Sequence, residues 1–313
     1  MNADCVCGGR PPASNCLSCA LLLLATGMIW LSTATKGAHM STIGFIGAGN
    51  MGLPLIKAVC KKVDATQVVA CDHHPERLAA LVEEKGLVMA DTAAQVAEQS
   101  EFVVVGIKPH AITGLLEDIA PALKAACAEG RTPVLCSLAA GYSLKEFDRV
   151  LGGLGLILPI VRLMPNSGVG IGEGVCLFAA NSRIEATDLE RLMGFFEAAG
   201  LCEAVDEDTL ARSIPIFSCS PAYVYMFIES LADAGSELGL ERDLAMRLAA
   251  QAVKGSAANV LESDKHVAAL RDEICTPRGM TITATNRMEK AGFRSAVIEG
   301  ALAAYEHSKN MLD

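Results

Sequence analysis

The sequence lacks the features of a nucleic-acid-binding or metal-binding protein. Its 26 Lys and Arg residues are outnumbered by 36 Asp and Glu residues, so the formal net charge is −10. No basic cluster stands out. Because such clusters attract nucleic acids and anionic membranes, we expect neither as a partner of the folded core. The six histidines show no ligand spacing, so we expect no metal site. The sequence contains neither a G-x-S-x-G elbow nor a Ser/His/Asp order, so it gives no indication of a hydrolase.

The chain of 313 residues is long enough for two domains of ordinary size, and its 51% hydrophobic content is that of a globular protein. The first 40 residues differ from the rest, because an apolar run at residues 17–31 follows a single basic residue, Arg10. That run is too short to predict a membrane span. We therefore expect residues 1–40 to be a disordered or artefactual extension, with a cleaved signal or anchor as the alternative.

Cysteine is frequent, and four of the 12 cysteines lie within the first 40 residues. The other eight are scattered over apolar segments such as Val134-Leu135-Cys136. Small buried thiols in the reduced state are typical of cytosolic proteins. We therefore predict free, buried cysteines and a cytoplasmic location.

From residue 41 onward, strand patterns alternate with helical patterns. The predicted strands are apolar runs at residues 43–46, 68–71, 102–107, 132–137 and 157–164. Continuous apolar runs are typical of parallel strands that are buried on both faces. The alternation predicts an α/β fold, with a doubly wound Rossmann sheet over residues 41–170. The glycine-rich residues 165–182 are candidates for late edge strands.

Long helical patterns dominate from about residue 184, so residues 171–313 are predicted to form a mostly helical second domain. The predicted helices cover residues 186–199, 220–238, 242–262, 281–290 and 295–312. Residues 223–228 are apolar almost all round. Such a helix must be buried on most sides, either inside the domain or in a subunit interface.

The most informative motif is a G-x-G-x-x-G sequence that follows the first predicted strand and opens a helix. Gly47 permits the tight turn, Gly49 lets a pyrophosphate approach the backbone, and Gly52 lets the helix pack close to the strand. The N–H groups and the positive dipole of the helix start then face the phosphates. The predicted cofactor-binding residues of this loop are Gly47, Ala48, Gly49, Asn50, Met51 and Gly52.

Asp72 ends the second predicted strand, 20 residues after Gly52. A carboxylate at this place accepts hydrogen bonds from the adenosine ribose, and it repels a 2′-phosphate, which favours NADH. Arg77 and the neighbouring His73 and His74 could compensate for that repulsion, so NADPH stays open as the cofactor.

Further candidate residues follow the carboxyl ends of other predicted strands, where open α/β sheets bind their ligands. Lys108 and Pro109 follow one strand, and Ala139 and Gly141 follow the next. We predict that these four residues face the cofactor, although a solvated surface charge is the alternative for Lys108. Asn166 follows the last of these strands.

Two turns open helices in the second domain. Ser220 is the predicted N-cap of one helix and Pro221 its first residue, and capping alone would explain both. Thr276 to Thr281 form the second turn, before a helix predicted to begin at Thr281. Its N–H groups and threonine hydroxyls suit a carboxylate or a plain cap equally well.

Taken together, these motifs resemble pyrroline-5-carboxylate reductase, an enzyme of proline synthesis. The resemblance covers residues 43–309, and its blocks are residues 47–52, 107–109, 137–141, 161–166, 221–223, 232–240 and 276–281. It implies a Rossmann domain followed by an all-helical domain that interlocks with a second subunit, in homodimers that often form decamers. It also implies hydride transfer from NADH or NADPH to the C5 carbon of 1-pyrroline-5-carboxylate, which gives L-proline. The active site would form between the two domains across the dimer.

The same resemblance assigns roles to residues of the helical domain. The loop that would bind the substrate carboxylate contributes Thr276, the N–H groups of Gly279 and Met280, and the Thr281 hydroxyl. Asn166 becomes a substrate-binding candidate, and Thr281 and Ser220 become the candidate catalytic residues.

Several positions depart from the family pattern, beginning with Ser167 and Gly168, which follow Asn166 where the family usually has Thr and Pro. Arg278 replaces a glycine that can require a positive φ angle, Met280 replaces a small residue, and Cys219 replaces a glycine. Arg278 could add a cation for the carboxylate or narrow the pocket. The departures leave two alternatives open, namely a related imine reductase or dehydrogenase for another small acid, and a non-catalytic nucleotide-binding paralogue.

Overall fold

The computed structural model describes residues 41–310, and all of them belong to one compact unit. The predictions for residues 1–40, including the extension and its four cysteines, lie outside the described residues. So does the predicted end of the last helix, at residues 311–312.

Eight strands of the described chain form a single sheet. They are β1 Ser41–Ile46, β2 Val68–Cys71, β3 Val88–Met89, β4 Ser100–Val105, β5 Val134–Ser137, β6 Ile160–Pro165, β7 Gly174–Ala180 and β8 Gly200–Ala204. Their order is β3-β2-β1-β4-β5-β6-β7-β8, and every pair is parallel except the antiparallel pair β6 and β7. The chain order reverses beside β1, which pairs with β2 on one side and β4 on the other. The predicted doubly wound sheet is confirmed.

Six helices cover the two faces of this sheet. They are α1 Gly52–Val59, α2 Ala79–Lys85, α3 Ala93–Gln99, α4 Ile112–Ala128, α5 Leu144–Gly153 and α6 Ala186–Phe196. On one face, α1 and α6 bury a core that includes Phe45, Phe178 and Phe196. On the other face, α3, α4 and α5 bury Ile119 and Phe147. Two complete apolar layers therefore hold the strands, as alternating side chains of a sheet require.

Local signals set the ends of several elements. The Thr92 hydroxyl accepts a hydrogen bond from the Gln95 N–H and caps α3. Gly86 ends α2 in the left-handed conformation, with φ 75°. These short-range effects need no tertiary contacts, which is why the sequence predicts them.

The sheet continues beyond residue 170, where the Rossmann domain was predicted to end. β7 is an inner strand rather than an edge strand, and β8 pairs beside it as far as Ala204. Glycines make this pairing possible, because a side chain on Gly200 would overlap the backbone of Gly174. Neither β3 nor β8 was predicted, since both are short and largely exposed.

The rest of the chain is helical. Its helices are α7 Glu207–Phe217, α8 Ser220–Glu237, α9 Arg242–Glu262, α10 Val267–Ile274, α11 Met280–Lys290 and α12 Phe293–Asn310. α8 and α9 form a hairpin, in which a side chain on Gly235 would lie 2.8 Å from the Ala245 Cβ. α12 packs on α7 and on α11. We call β1 to β8, with the helices among them, the sheet region, and α7 to α12 the helical region.

The helical region buries little of its own apolar surface. α8 and α9 bury only small residues, namely Ala232, Gly235, Ala245 and Ala249, and α10 and α11 have no buried residue. The predicted burial of residues 223–228 inside the domain is wrong for a single chain, because the Met226 side chain is 68% exposed. Of the two alternatives, the subunit interface remains.

One helical stretch of the described chain, Glu207–Glu237, is long and apolar enough by length and composition to cross a membrane. Helices that pack on another protein subunit satisfy the same criterion. The stretch is therefore weak grounds for a membrane span.

The eight cysteines that the structure describes are all free, as predicted. Their predicted burial is only partly right. Cys71, Cys136 and Cys176 are buried, whereas Cys127 is exposed near the end of α4. Spacing on an apolar segment does not show which helix face a residue occupies.

Candidate active site

The glycine loop forms a cradle at the end of β1. Gly47 has φ 104°, and a side chain there would lie 2.7 Å from the Gly106 carbonyl oxygen at the end of β4. A side chain on Gly52 would overlap the Gly47 carbonyl, so α1 begins directly against the strand end. Gly49 differs from both, because no atom lies within 4 Å of the place where its Cβ would be. The cradle is thus closed behind and open at Gly49, which fits a bound pyrophosphate.

The backbone of the cradle offers hydrogen-bond donors. The N–H groups of Asn50, Met51 and Gly52 have no acceptor among the residues at 41–310. Met51 is the N-cap residue of α1, and its side chain makes no capping hydrogen bond. Free donors at a helix start, together with the helix dipole, attract phosphate groups.

The Asp72 carboxylate holds this loop in place. Its Oδ2 accepts the Ala48 N–H at 2.6 Å, and its Oδ1 accepts the His74 N–H at 2.7 Å. The Arg77 guanidinium lies 3.4 Å from Oδ1, and the Asp72 side chain is only 8% exposed. A carboxylate can accept about four hydrogen bonds. Contact with a ribose therefore stays a prediction, alongside a loop-fixing role that the sequence did not reveal.

Cys71 precedes this carboxylate and does not act as a nucleophile at neutral pH. Burial, with a smaller effect of the Asp72 charge, raises the pKa of the Cys71 thiol to about 11. The thiol is therefore protonated over the physiological range.

The remaining predicted cofactor residues lie along the same edge of the sheet. Lys108 is extended and exposed, and Pro109 opens a short turn after β4. Beyond β5, Ala139 is buried and donates its N–H to the Ser137 hydroxyl at 3.2 Å, and Gly141 has φ 79°. The structure thus brings together at the carboxyl ends of β1, β2, β4 and β5 all the residues predicted to bind the cofactor.

Asn166 is engaged by the protein itself. Its Oδ1 accepts the N–H groups of Gly168 and Val175, at 3.1 and 3.0 Å. Its Nδ2 donates to the Phe217 carbonyl at 2.9 Å, at the end of α7. Asn166 therefore ties β6 to the junction of α7 and α8, where Ser220 lies. Its direct contact with a substrate stays a prediction.

The predicted N-cap role of Ser220 is wrong. Cys219 occupies the N-cap position with helical angles, φ −88° and ψ −32°, and makes no capping hydrogen bond. Only Ser218 and Cys219 separate α7 from α8, so the chain never becomes extended as a capping residue requires. Ser220 is the first residue of α8 and half-buried.

Of the two main-chain donors predicted in the turn before α11, the Met280 N–H is free and the Gly279 N–H is not. α11 begins at Met280, one residue earlier than predicted. The N–H groups of Met280 and Thr281 have no acceptor in the part of the chain that the structure describes. Gly279 is a correction, because its N–H donates to the Thr276 carbonyl at 2.9 Å and closes the turn.

Arg278 has φ 60°, which makes it the one non-glycine residue with a positive φ among those described. The concern that this position requires glycine geometry is therefore confirmed. The left-handed conformation costs a side-chain-bearing residue about 1–2 kcal/mol. Met280, two residues further along the chain, has a side chain that is 91% exposed.

This turn is separate from the cofactor residues within one chain. No hydrogen bond or ion pair of residues 41–310 joins the 276–281 turn to the sheet region. α11 packs on α12, and α12 packs on α7. The predicted cofactor and substrate residues thus form two groups, one in each region.

Two family models match the chain. Residues 207–311 match a model described as pyrroline-5-carboxylate reductase dimerisation, and residues 42–127 match one described as NADP oxidoreductase, coenzyme F420-dependent. The pyrroline-5-carboxylate reductase of Escherichia coli (strain K12) is 34% identical over 271 residues, which are 86% of this chain and 97% of that protein. The chain belongs to the pyrroline-5-carboxylate reductase family.

Solved structures of the pyrroline-5-carboxylate reductase family share the fold. The enzyme from Coxiella burnetii has a TM-score of 0.79 at 26% identity, covering 88% of this chain and 99% of that one. The pyrroline carboxylate reductase of Plasmodium falciparum, with NADP bound, has a TM-score of 0.75 at 28% identity and covers 88% and 100%. The dimerisation model spans nearly the whole helical region, which supports self-association through that region.

The ion pair between Arg162 and Glu207 was not predicted from the sequence. Arg162 lies inside β6, and its Nη1 donates to Glu207 Oε1 at 2.7 Å. The only signal was a charged residue within an apolar strand pattern, and its partner lies 45 residues further along the chain. No pattern of short range could have joined them.

Proposed function

We propose that this protein reduces 1-pyrroline-5-carboxylate to L-proline with NAD(P)H, as the last step of proline biosynthesis. The observation that carries the proposal is the open cradle at Gly49, with its free N–H donors, in a chain that matches the reductases over almost its whole described length. The residues from Gly47 to Gly52 would hold the pyrophosphate, and Asp72 fixes the loop that does so.

The substrate end of the site rests on the turn before α11. The free N–H groups of Met280 and Thr281, with the Thr281 and Thr276 hydroxyls, would bind the carboxylate at the positive end of the helix. When bound, NAD(P)H would supply the hydride that reduces C5 of the protonated imine, and the ring nitrogen would remain as an amine. The residues of this chain act mainly by orientation, because the iminium is already electrophilic.

We further propose that the working unit is a homodimer, which can associate further into a decamer, in the cytoplasm. The helical region has too little buried apolar surface to be complete in one chain. Pairing would also let the 276–281 turn of one copy approach a cofactor cradle. In this arrangement the sheet region, as far as β8, binds the cofactor, and the helical region binds substrate and partner.

Steady-state kinetics test the activity directly. Loss of reduced-nicotinamide absorbance is followed with 1-pyrroline-5-carboxylate and each of NADH and NADPH, and proline is identified as the product. Other cyclic imines and 2-oxo acids serve as comparison substrates. Tight binding of NAD(P)H without turnover of any of them would contradict the proposal and favour a non-catalytic paralogue.

The 276–281 turn favours one second candidate, an imine reductase for a different small acid. Arg278 and Met280 place two long side chains where the family pattern has small residues. We expect Arg278→Gly with Met280→Thr to raise kcat/KM for 1-pyrroline-5-carboxylate by about tenfold, the equivalent of 1.4 kcal/mol. Met280→Thr alone is the control for the backbone effect of Arg278. A double variant without improved turnover would show that these residues do not limit the reaction.

A further inference from the structure

Arg162 is a charged residue buried in the middle of the sheet. It is 5% exposed, and it shares one face of β6 with Ile160 and Met164, because side chains alternate along a strand. Ile160 belongs to the core beneath α4 and α5, whereas Met164 packs against α7. Arg162 therefore fills the gap between two apolar clusters. Burying a guanidinium there is costly unless its charge is paired.

The partner of Arg162 joins three elements at a single oxygen. Glu207 is the first residue of α7, and its Oε1 accepts both the Arg162 Nη1–H at 2.7 Å and the Leu144 N–H at 2.9 Å. Leu144 begins α5, directly after the loop that carries Ala139 and Gly141. The carboxylate thus connects β6, the start of α7 and the end of a loop at the cofactor edge.

One end of α7 is attached to β6 and the other to Asn166, the residue directly after β6. Arg162 holds the first residue, Glu207, and Asn166 donates to the carbonyl of the last residue, Phe217. Four residues of strand span about 13 Å and ten of helix about 15 Å, so the two segments match in length. Among residues 41–310, the side-chain contacts between the two regions are these two, the bond from the Leu144 N–H to Glu207, and one between the exposed side chains of Lys254 and Glu173, at 3.7 Å.

The Arg162 pair is poorly arranged for stability alone. Its Nε is buried without an acceptor among the described residues, and a buried unsatisfied donor is destabilising. Buried ion pairs of this kind contribute more to a defined geometry than to stability in several systems. The orphan donor therefore favours a role in orientation.

We propose that Arg162 and Glu207 are positioning residues, which set the orientation of α7 relative to the cofactor edge of the sheet. α8 follows directly from α7, and α12 packs on it, so α7 determines where the helical region stands. The inference rests on the proposed function, in which the two regions carry cofactor and substrate. The same carboxylate fixes the Ala139–Gly141 loop, so both halves of the site depend on it.

Glu207→Gln tests this role with little change of shape. The amide oxygen can still accept the Leu144 N–H, but the charge that holds Arg162 is lost. We expect kcat to fall about 10- to 100-fold, because small misplacements of reacting groups cost that much. The KM and the directly measured Kd for NADPH should rise much less than kcat falls, because the Gly47–Gly52 cradle is untouched and the Ala139–Gly141 loop keeps its other contacts. With deuterated NADPH, the isotope effect on kcat should rise as hydride transfer becomes slower.

Two further variants make the test specific. Arg162→Lys keeps the charge and should retain more activity than Arg162→Met. Glu101→Gln breaks the exposed ion pair with Arg191 in the sheet region and should leave kcat unchanged. Thermal unfolding and light scattering show whether each variant is folded and associated. An unchanged kcat in a folded Glu207→Gln protein would overturn the proposal, and so would a loss of NADPH affinity as large as the loss of kcat.

Hydrogen exchange provides a measurement that does not depend on turnover. In Glu207→Gln, we expect faster amide exchange in α7, a smaller increase in residues 138–144, where the Leu144 N–H keeps only an uncharged acceptor, and no change in β1 and α1. An exchange pattern identical to that of the unmodified protein would overturn the positioning role. Should the unmodified protein turn over no imine, the proposed function fails, and the exchange result still decides whether the pair orients α7.

Discussion

The two regions of this molecule bury their apolar side chains to very different extents. In the sheet region, Phe45, Phe102 and Phe147 are almost completely buried between strands and helices. In the helical region, Leu238 and Leu261 are 83% and 85% exposed. Burying one such side chain is worth about 1.5–3 kcal/mol. One region is therefore complete in a single chain, and the other exposes apolar surface that self-association would cover.

This difference separates the predicted cofactor site from the predicted substrate site, two parts that usually belong to one packed region of an enzyme. The cradle for the cofactor is built on strands with a full core on each face, so its geometry is fixed before any partner is present. The turn that would hold the substrate lies between α10 and α11, neither of which has a buried residue. Cofactor binding should therefore survive changes that abolish turnover.

The largest effect is expected from a charge on the exposed apolar surface of α8. Met226→Asp places a carboxylate where a second subunit would cover it, and a buried unpaired charge is strongly destabilising to an interface. We expect dissociation of the dimer and a fall in kcat/KM of about 100-fold, with NADPH binding retained. Light scattering measures the association. Met89→Asp is the matched control, because Met89 is 47% exposed at the edge of the sheet. A Met226→Asp protein that is still dimeric and active would show that the helical region does not depend on this surface for association.

Within the sheet region, two glycine variants separate folding from binding. Gly47→Ala should lower stability by about 1–3 kcal/mol, because its φ of 104° is strained for alanine and the new methyl group approaches the Gly106 carbonyl. Gly49→Ala meets no protein atom, so Tm should stay unchanged while the Kd for NADPH rises about tenfold, or 1.4 kcal/mol. Thermal unfolding and fluorescence titration measure the two. If Gly49→Ala and Gly47→Ala changed Tm and the Kd for NADPH by the same amounts, the cradle would not be the phosphate site.

Smaller changes are expected at Asp72. Asp72→Ser should shift the ratio of kcat/KM values from NADH towards NADPH, since the carboxylate repels a 2′-phosphate. It should also weaken both cofactors somewhat, because the Ala48 N–H loses its charged acceptor. Asp64→Ser removes another carboxylate near β2 and should alter neither quantity. An unchanged cofactor ratio would refute the ribose contact, and unchanged affinities would refute the loop-fixing role.

The smallest effect is expected in the reactivity of the cysteine thiols. At pH 8, iodoacetamide should label Cys127, which is exposed, but not Cys71, whose pKa is raised to about 11 by burial. Labelling of Cys71 should appear only as the pH rises towards 11, because the thiolate is the reacting form. Mass spectrometry identifies the labelled peptides, and activity at pH 8 should be unaffected. Early labelling of Cys71 would mean that the end of β2 opens to solvent.

The sequence predicted best those elements whose signal is local. Continuous apolar runs located β2, β4 and β5, and glycine spacing located the cradle. β8 escaped because most of its residues are exposed, so it carries no apolar pattern. α7 escaped in part because Pro215 lies within it, and proline ordinarily ends a helix.

Parts of the site depend on the exact geometry of the folded chain, and these could not be predicted. The N–H of Gly279 was expected to face a ligand, but the chain turns back so that Thr276 accepts it. Asn166 was expected to face the substrate, yet three backbone groups occupy its amide. The geometry of the folded chain, a tight turn at Gly279 and a tertiary contact at Asn166, determines which partner each residue has.

The small residues between α8 and α9 have a consequence for mixed populations of this protein. Ala232, Gly235, Ala245 and Ala249 hold that hairpin together without help from the glycine cradle. A copy with a damaged cradle would therefore still present an intact hairpin to a sound copy and pair with it. Inherited or engineered lesions at Gly47 or Gly49 should accordingly reduce the output of co-expressed normal chains, whereas lesions that abolish pairing should leave them unharmed.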